Sequence, residues 1–204
     1  MEHIHDAAFW DERYRCRDAA WDSEPNPFLA DDIAGLIPGT ALDLGCGEGS
    51  DAVWLAKRGW RVTAVDISNV ALDRGRAADE AHQVSWLQAD VLTWQPPADA
   101  YDLISMHFFH VAPVERTALF GRLAAAVRPG GTLLVVAHHV SDLETTIGRP
   151  PLPELFYTAD DVAASLVTGR WEILFGGTRP RRATDPEMRA ITIHDTVLKA
   201  RRLA

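Results

Sequence analysis

A chain of 204 residues suits one domain of ordinary size, and 47% hydrophobic with 24% charged residues is the composition of a globular protein, not a disordered one. With 29 acidic against 20 basic residues the formal net charge is -9, so nothing draws the whole molecule to a phosphate backbone. The short basic run Arg179-Pro180-Arg181-Arg182 is the local exception and reads as a solvated loop. The cysteines Cys16 and Cys46 have no metal-ligand spacing, and a disulfide at Cys46 would obstruct its glycine-rich surroundings; no metal and a reducing compartment are expected. The amino terminus lacks a basic and apolar leader, and no apolar run reaches the ~18 residues of a membrane span, so a cytoplasmic protein with no membrane partner is expected.

In chain order, Ala41-Leu42-Asp43-Leu44 reads as a strand that stops at glycine, with Ser50 as the cap of the next helix and Gly59 beyond its end. A second strand covers 61–66, and Ser68 caps a helix running towards Ala81. Strands follow at 84–89 and 101–106, then helical spacing through Leu119, Leu123 and Val127 predicts a helix over 113–127. Arg128-Pro129-Gly130-Gly131 reads as a break before a strand at 132–137. Thr158 caps a short helix over 159–166; strands at 171–175 and 191–199, linked by an irregular segment over 176–186, should be antiparallel neighbours. Alternating strands and helices of this length predict right-handed βαβ units around a parallel sheet.

The strand, glycine-rich turn and helix around 41–59 place a ligand at a helix N-terminus above the carboxyl ends of the strands. Gly45, Gly47 and Gly49 are spaced G-x-G-x-G, and Ser50 stands where the dinucleotide fingerprint needs its third glycine. The acids Asp43 and Glu48 disfavour a pyrophosphate and suit a ligand carrying an ammonium and a sulfonium. Asp66, 17 residues after Gly49, ends the second strand where a carboxylate can accept ribose hydroxyls.

Asp43-Leu44-Gly45-Cys46-Gly47-Glu48-Gly49 is similar to the nucleotide loop of class I S-adenosylmethionine-dependent methyltransferases. Val65-Asp66-Ile67-Ser68 resembles their ribose-binding acid and its neighbours, Gln88-Ala89-Asp90-Val91 their adenine-side acid, Tyr101-Asp102-Leu103-Ile104 their fourth strand, and Arg128-Pro129-Gly130-Gly131-Thr132 the turn before the fifth. The resemblance covers roughly residues 40 to 140. It implies an α/β fold of three layers, a Rossmann-like doubly wound sheet of seven strands, mostly parallel with the last antiparallel. It also implies S-adenosyl-L-methionine as cofactor, contacted by Asp43, Gly45, Cys46, Gly47, Asp66, Ile67, Asp90, Val91 and Met106. Phe9-Trp10-Asp11-Glu12-Arg13-Tyr14 with Trp21-Asp22 looks like the lid of the tellurite-resistance and thiopurine methyltransferase group, which implies cofactor contacts from Trp10, Arg13 and Trp21. The expected organisation is a single domain over 1–204: an N-terminal lid and first helix over 1–39, the cofactor core over 40–140, and a C-terminal helix with antiparallel hairpin over 141–204.

His107 and His110 follow the fourth strand, and His138 and His139 end the fifth, at the strand ends that border the crevice. His107 is the candidate general base; each histidine has the alternative of lining or core. Methyl transfer from a sulfonium releases a neutral leaving group, so a soft or easily ionised acceptor needs alignment more than acid–base help. Ser105-Met106-His107-Phe108-Phe109-His110 lacks the Asn-Pro-Pro-Tyr-like signature of amino-directed nucleic-acid enzymes, so a small acceptor (thiol, chalcogen, hydroxyl or heterocycle) is expected and nucleic acid is not. The alternatives are a non-catalytic cofactor-binding or scaffold protein and a nucleotide-dependent oxidoreductase.

Overall fold

The computed structural model describes residues 6–16 and 24–204. Seven strands form one sheet in the order β3-β2-β1-β4-β5-β7-β6. β1 (Thr40–Leu44), β2 (Arg61–Asp66), β3 (Val84–Gln88), β4 (Tyr101–His107) and β5 (Val127–His138) are mutually parallel, and β7 (Ala190–Arg202) lies antiparallel between β5 and β6 (Trp171–Thr184). The strand order reverses at β1: the chain builds outward through β2 and β3, then crosses back so that β4 flanks β1 on its other side. That reversal opens a crevice at the carboxyl ends, above the glycine loop.

Helices cover both faces because the central strands are apolar on both sides: every residue of β4 from Leu103 to Met106 is buried, as are Leu133 to Ala137 in β5. One face carries α5 (Pro113–Ala126) and α6 (Ala159–Ala163), packing Leu119, Phe120, Leu123 and Val162 on Leu42, Ile104 and Leu133. The other carries α2 (Pro27–Ile33) and α3 (Ser50–Ala56), with Phe28, Leu29 and Leu55 against Ala41, Leu103 and Leu134. α1 (Ala7–Arg15) docks on α4 (Asn69–Ala78) by Trp10 and Tyr14 against Val70 and Ala71. No helix among the described residues is long and apolar enough to cross a membrane.

Ser68 caps α4 as expected, its hydroxyl accepting from Ala71 N at 3.1 Å, but that helix ends at Ala78. Thr158 caps α6 in a reciprocal capping box with Asp161. Three expectations are corrected. The cap of α3 is Gly49 in the left-handed conformation, and Ser50 is the first helical residue. Arg128-Pro129-Gly130-Gly131 does not separate helix from strand: β5 begins at Val127, and the proline and glycines sit in an irregularity of its pairing with β4 between Tyr101 and Leu103. The segment 176–186 is mostly strand, because β6 runs on to Thr184. Pro180 is tolerated there because β6 is the sheet edge, where a missing N–H costs no ladder bond.

Candidate functional site at the carboxyl ends of the strands

The glycine loop is clamped from two sides. Gly45 and Cys46 both donate their N–H to Val65 O, at 2.8 and 3.0 Å, which ties the start of the loop to β2. Asp66 at the end of β2 then reaches back: its Oδ2 accepts from Gly47 N at 2.8 Å, while its Oδ1 accepts from Ser68 N at 2.9 Å. One carboxylate thus fixes both the β1–α3 and the β2–α4 loops. Burial pushes its pKa up, opposed by the N–H groups of Ser68 and Gly47.

Two of the glycines are required for different reasons. Gly47 has φ +55°, and a Cβ on it would stand 2.8 Å from Tyr14 Oη, so α1 leans its buried tyrosine directly on the loop. Gly49 has φ +76°, and a Cβ there would collide with the indole of Trp86, which is wedged between Gly49 and Gly75 of α4. Gly45 faces the other side: a Cβ on it would lie 2.9 Å from the Phe109 ring. The end of β4 therefore touches the glycine loop.

Beneath the loop lies a buried acid–histidine cluster. His107 Nδ1 is 2.6 Å from Asp51 Oδ2, and Asp51 Oδ1 accepts from Asn26 N at 2.6 Å. Burial alone would lower the pKa of His107, but the Asp51 charge and hydrogen bond overcome this and raise it, with a further contribution from Asp43. Asp43 Oδ1 accepts from Ser105 Oγ at 3.3 Å. Burial, and then the charge of Asp51, push Asp43 up to about 7. Three buried polar atoms here lack a partner: Asp43 Oδ2, His107 Nε2 and Asn26 Nδ2. Buried groups left unpaired cost about 1–3 kcal/mol each, so this cluster is poised to receive a polar ligand.

The other expected residues are distributed around this centre. Cys46 is free and its thiol is pushed well up by burial and then by Asp43 and Asp66. Ile67 O accepts from Gln88 Nε2 at 3.2 Å, and Asp90 follows β3, its Oδ1 accepting from Leu92 N at 2.9 Å. Val91 and Met106 are buried in the core beneath α5, Met106 at the carboxyl end of β4. Trp10 packs against α4, and Arg13 is exposed with its guanidinium 5.8 Å from the Trp10 ring centre. Trp21 lies outside the described residues. Glu48, expected to repel a pyrophosphate, turns to α4 and pairs with Arg74 at 2.8 Å. The acid character of the loop therefore resides in Asp43 and Asp66.

Aromatic rings cluster at the carboxyl ends of β4 and β5. Phe108 stacks on His138 at 4.3 Å, and His110 lies 5.6 Å from His138 and 5.5 Å from Phe156. His138 is kept neutral-leaning: burial lowers its pKa against the pull of Asp195. His139 is a cap, its Nδ1 meeting Ser141 Oγ at 2.9 Å at the start of the 3-10 turn Val140–Glu144. Sequence reading missed the Asp51–His107 pair, whose members are 56 residues apart.

A family profile described as a methyltransferase domain matches residues 41–131. An uncharacterised methyltransferase of Mycobacterium tuberculosis is 36% identical over 148 residues, covering 71% of each chain. A probable thiol methyltransferase of Arabidopsis thaliana is 31% identical over 151 residues, covering 70% of this chain and 65% of the other. A solved structure from work on the conversion of a disulfide bond into a thioacetal group during echinomycin biosynthesis superimposes with a TM-score of 0.77 at 24% identity, over 98% of this chain and 93% of that one. Together with the sheet order and the glycine loop, these likenesses establish that the chain belongs to the class I S-adenosylmethionine-dependent methyltransferases, with S-adenosylmethionine as its methyl donor.

Proposed function

We propose that the protein methylates a small, soft acceptor, a thiol in the first instance, at the carboxyl ends of β4 and β5. The observation that carries this reading is the contact of Phe109 with Gly45, which brings the aromatic end of β4 against the glycine loop. Cofactor side and acceptor side thereby meet at one point. The residues fit the cofactor: Asp43 offers an unpartnered carboxylate oxygen beneath the loop, and both Asp66 oxygens retain lone pairs beyond their backbone bonds. When bound, S-adenosylmethionine supplies a methyl group on a sulfonium, whose departure leaves a neutral thioether.

In this reading His107 is the proton acceptor. Asp51 holds Nδ1 and leaves Nε2 to take the proton of a thiol as its sulfur attacks. Tyr14 and Phe109, leaning on Gly47 and Gly45, exclude water from the site. The likeness to a thiol methyltransferase and to a protein of disulfide chemistry favours sulfur.

Incubation with labelled S-adenosylmethionine and a panel of thiols, selenite, tellurite, phenols and heterocycles tests the proposal. Labelled methyl thioether is the expected product. Tight cofactor binding with no methylated small molecule would favour a non-catalytic binding protein. Above its own raised pKa and below that of the acceptor thiol His107 is free to accept the proton, so His107→Ala should lower turnover there by about 10²-fold and much less above the thiol's pKa, with cofactor affinity retained. A loss independent of pH would remove His107 from proton transfer.

A further inference from the structure

β6 and β7 do not stop where the sheet does. His138↔Asp195 is the last pair between β5 and β7, yet β6 and β7 stay paired from Pro180↔His194 to Thr184↔Ala190. At ~3.3 Å per residue this two-stranded arm reaches about 16 Å beyond the end of β5, on the side where the crevice opens.

The root of the arm is built from buried charge. Asp195, fully buried, accepts from Arg181 Nε and lies 3.4 Å from His138 Nδ1. Asp142, also fully buried, holds Arg149 through Nε at 3.2 Å and Nη2 at 3.0 Å and accepts from His194 N at 3.0 Å. His138, Asp142 and Asp195 present ligand atoms within 4.8 Å of one another. Both carboxylates are nonetheless committed to guanidinium groups, which a cation would have to displace. The cluster is therefore a mount for arginines.

Arg181 has a particular position on that mount. Its guanidinium lies 5.3 Å from the centre of the Phe108 ring, and that ring stacks on His138. Phe108 is the first residue after β4 and has φ +54°, a left-handed backbone that a phenylalanine rarely adopts. A 2.7 Å bond from Phe108 N to Val136 O holds it there. Such strain is maintained where it places a side chain for use. The Arg181 side chain is 27% exposed, and of its five N–H groups the Nε is tied to Asp195, leaving the two Nη groups beside the Phe108–His138 stack. A fixed, half-buried guanidinium with spare parallel donors, beside the stacked rings at the carboxyl ends of β4 and β5, has the geometry that pairs with a carboxylate or a similar oxyanion.

We propose that Arg181 receives an anionic group of the acceptor, which makes the substrate an acidic organic thiol instead of a neutral one. The choice of thiol rests on the proposed function above; the anion site is tested by binding, which needs no turnover. The protein saturated with S-adenosylhomocysteine should bind 4-(mercaptomethyl)benzoate at least ~tenfold more tightly than the neutral phenylmethanethiol by calorimetry. Arg181→Gln should abolish that preference while S-adenosylhomocysteine affinity is kept. Arg181→Lys preserves a charge for the buried Asp195, safeguards the fold, and should reduce the preference by several-fold through loss of the forked contact. Arg182→Gln, on the exposed neighbouring position, should leave it unchanged. Equal affinities for the two probes in the unaltered protein, or a preference untouched by both Arg181 substitutions, overturns the proposal. An Arg181-dependent preference without methylation of any thiol sustains the anion site and overturns the choice of nucleophile.

Discussion

Asp66 shows how much one carboxylate can carry. It accepts from Gly47 N and Ser68 N and so shapes the glycine loop before any ligand arrives. Asp66→Ala should weaken S-adenosylhomocysteine binding by about 1–3 kcal/mol, read by calorimetry; unchanged affinity would place the cofactor elsewhere. Gly49 was legible as part of a ligand loop, but its absent side chain makes room for Trp86. Gly49→Ala should destabilise the fold by about 1–3 kcal/mol in urea, with part of the loss recovered when Trp86 is also replaced by Leu. Asp43 carries a pH signature. Its folded pKa of about 7 lies above the unfolded value, so between pH 4 and 7 the folded state holds the proton that the unfolded chain has released. The sign follows: this group's contribution to stability falls as pH rises through that window. Asp43→Asn should flatten that part of the stability profile of the ligand-free protein, and an unaltered slope would assign it to another group. The positions of Asp43, Gly47 and Asp66 could be read from sequence because a contiguous motif dictates them. The Asp51–His107 pair could not, since only the folded sheet brings residues from α3 and β4 together.

At the level of elements, the central parallel strands β1, β4 and β5 were legible because each is an apolar run buried on both faces along most of its length. The arm was not. Its root and first strand read as Thr178-Arg179-Pro180-Arg181-Arg182, where proline and charge argue against a strand, yet an edge strand with alternating exposure accommodates both. What holds the arm lies outside local sequence. Asp185 at its tip accepts from Arg189 N at 2.8 Å and from Thr146 Oγ1 at 2.7 Å. Burial opposes ionisation of Asp185, but the bonds from Arg189 and Thr146 outweigh it and hold its pKa well below the usual carboxylate range. Its contribution is therefore present above the unfolded pKa and lost as pH falls towards the folded one. Asp185→Ala should speed amide hydrogen exchange selectively over 180–194, with the glycine loop unaffected. Uniform acceleration across the sheet would instead make Asp185 a determinant of global stability. α1 depends on a similar tether, Asp11 Oδ1 accepting from Ser68 Oγ at 2.6 Å.

For the molecule as a whole, fold and cofactor followed from pattern because alternating strands and helices admit few topologies, and the order β3-β2-β1-β4-β5-β7-β6 is the one realised. Acceptor chemistry was poorly legible because the residues proposed for it come from the end of β4, the end of β5 and the arm, which are far apart in the chain. Ligand linkage gives a global test. S-adenosylhomocysteine at ~100 times its dissociation constant should stabilise the fold by about 2.7 kcal/mol, a rise in Tm of about 5–10 °C, and NAD at the same concentration should not. A shift with NAD alone would contradict the cofactor assignment.

The arm meets the crevice without sharing a partner with the cofactor loop: Arg181 is tied to Asp195 and Phe108, Asp66 to Gly47 and Ser68. Effects of substitutions at Arg181 and Asp66 should therefore add, with a double-mutant coupling below about 0.5 kcal/mol. Such independence lets descent or design recombine the two halves. An arm grafted from a relative would import a new substrate preference onto an untouched methyl-donor site, and related chains would diverge first in their terminal hairpins.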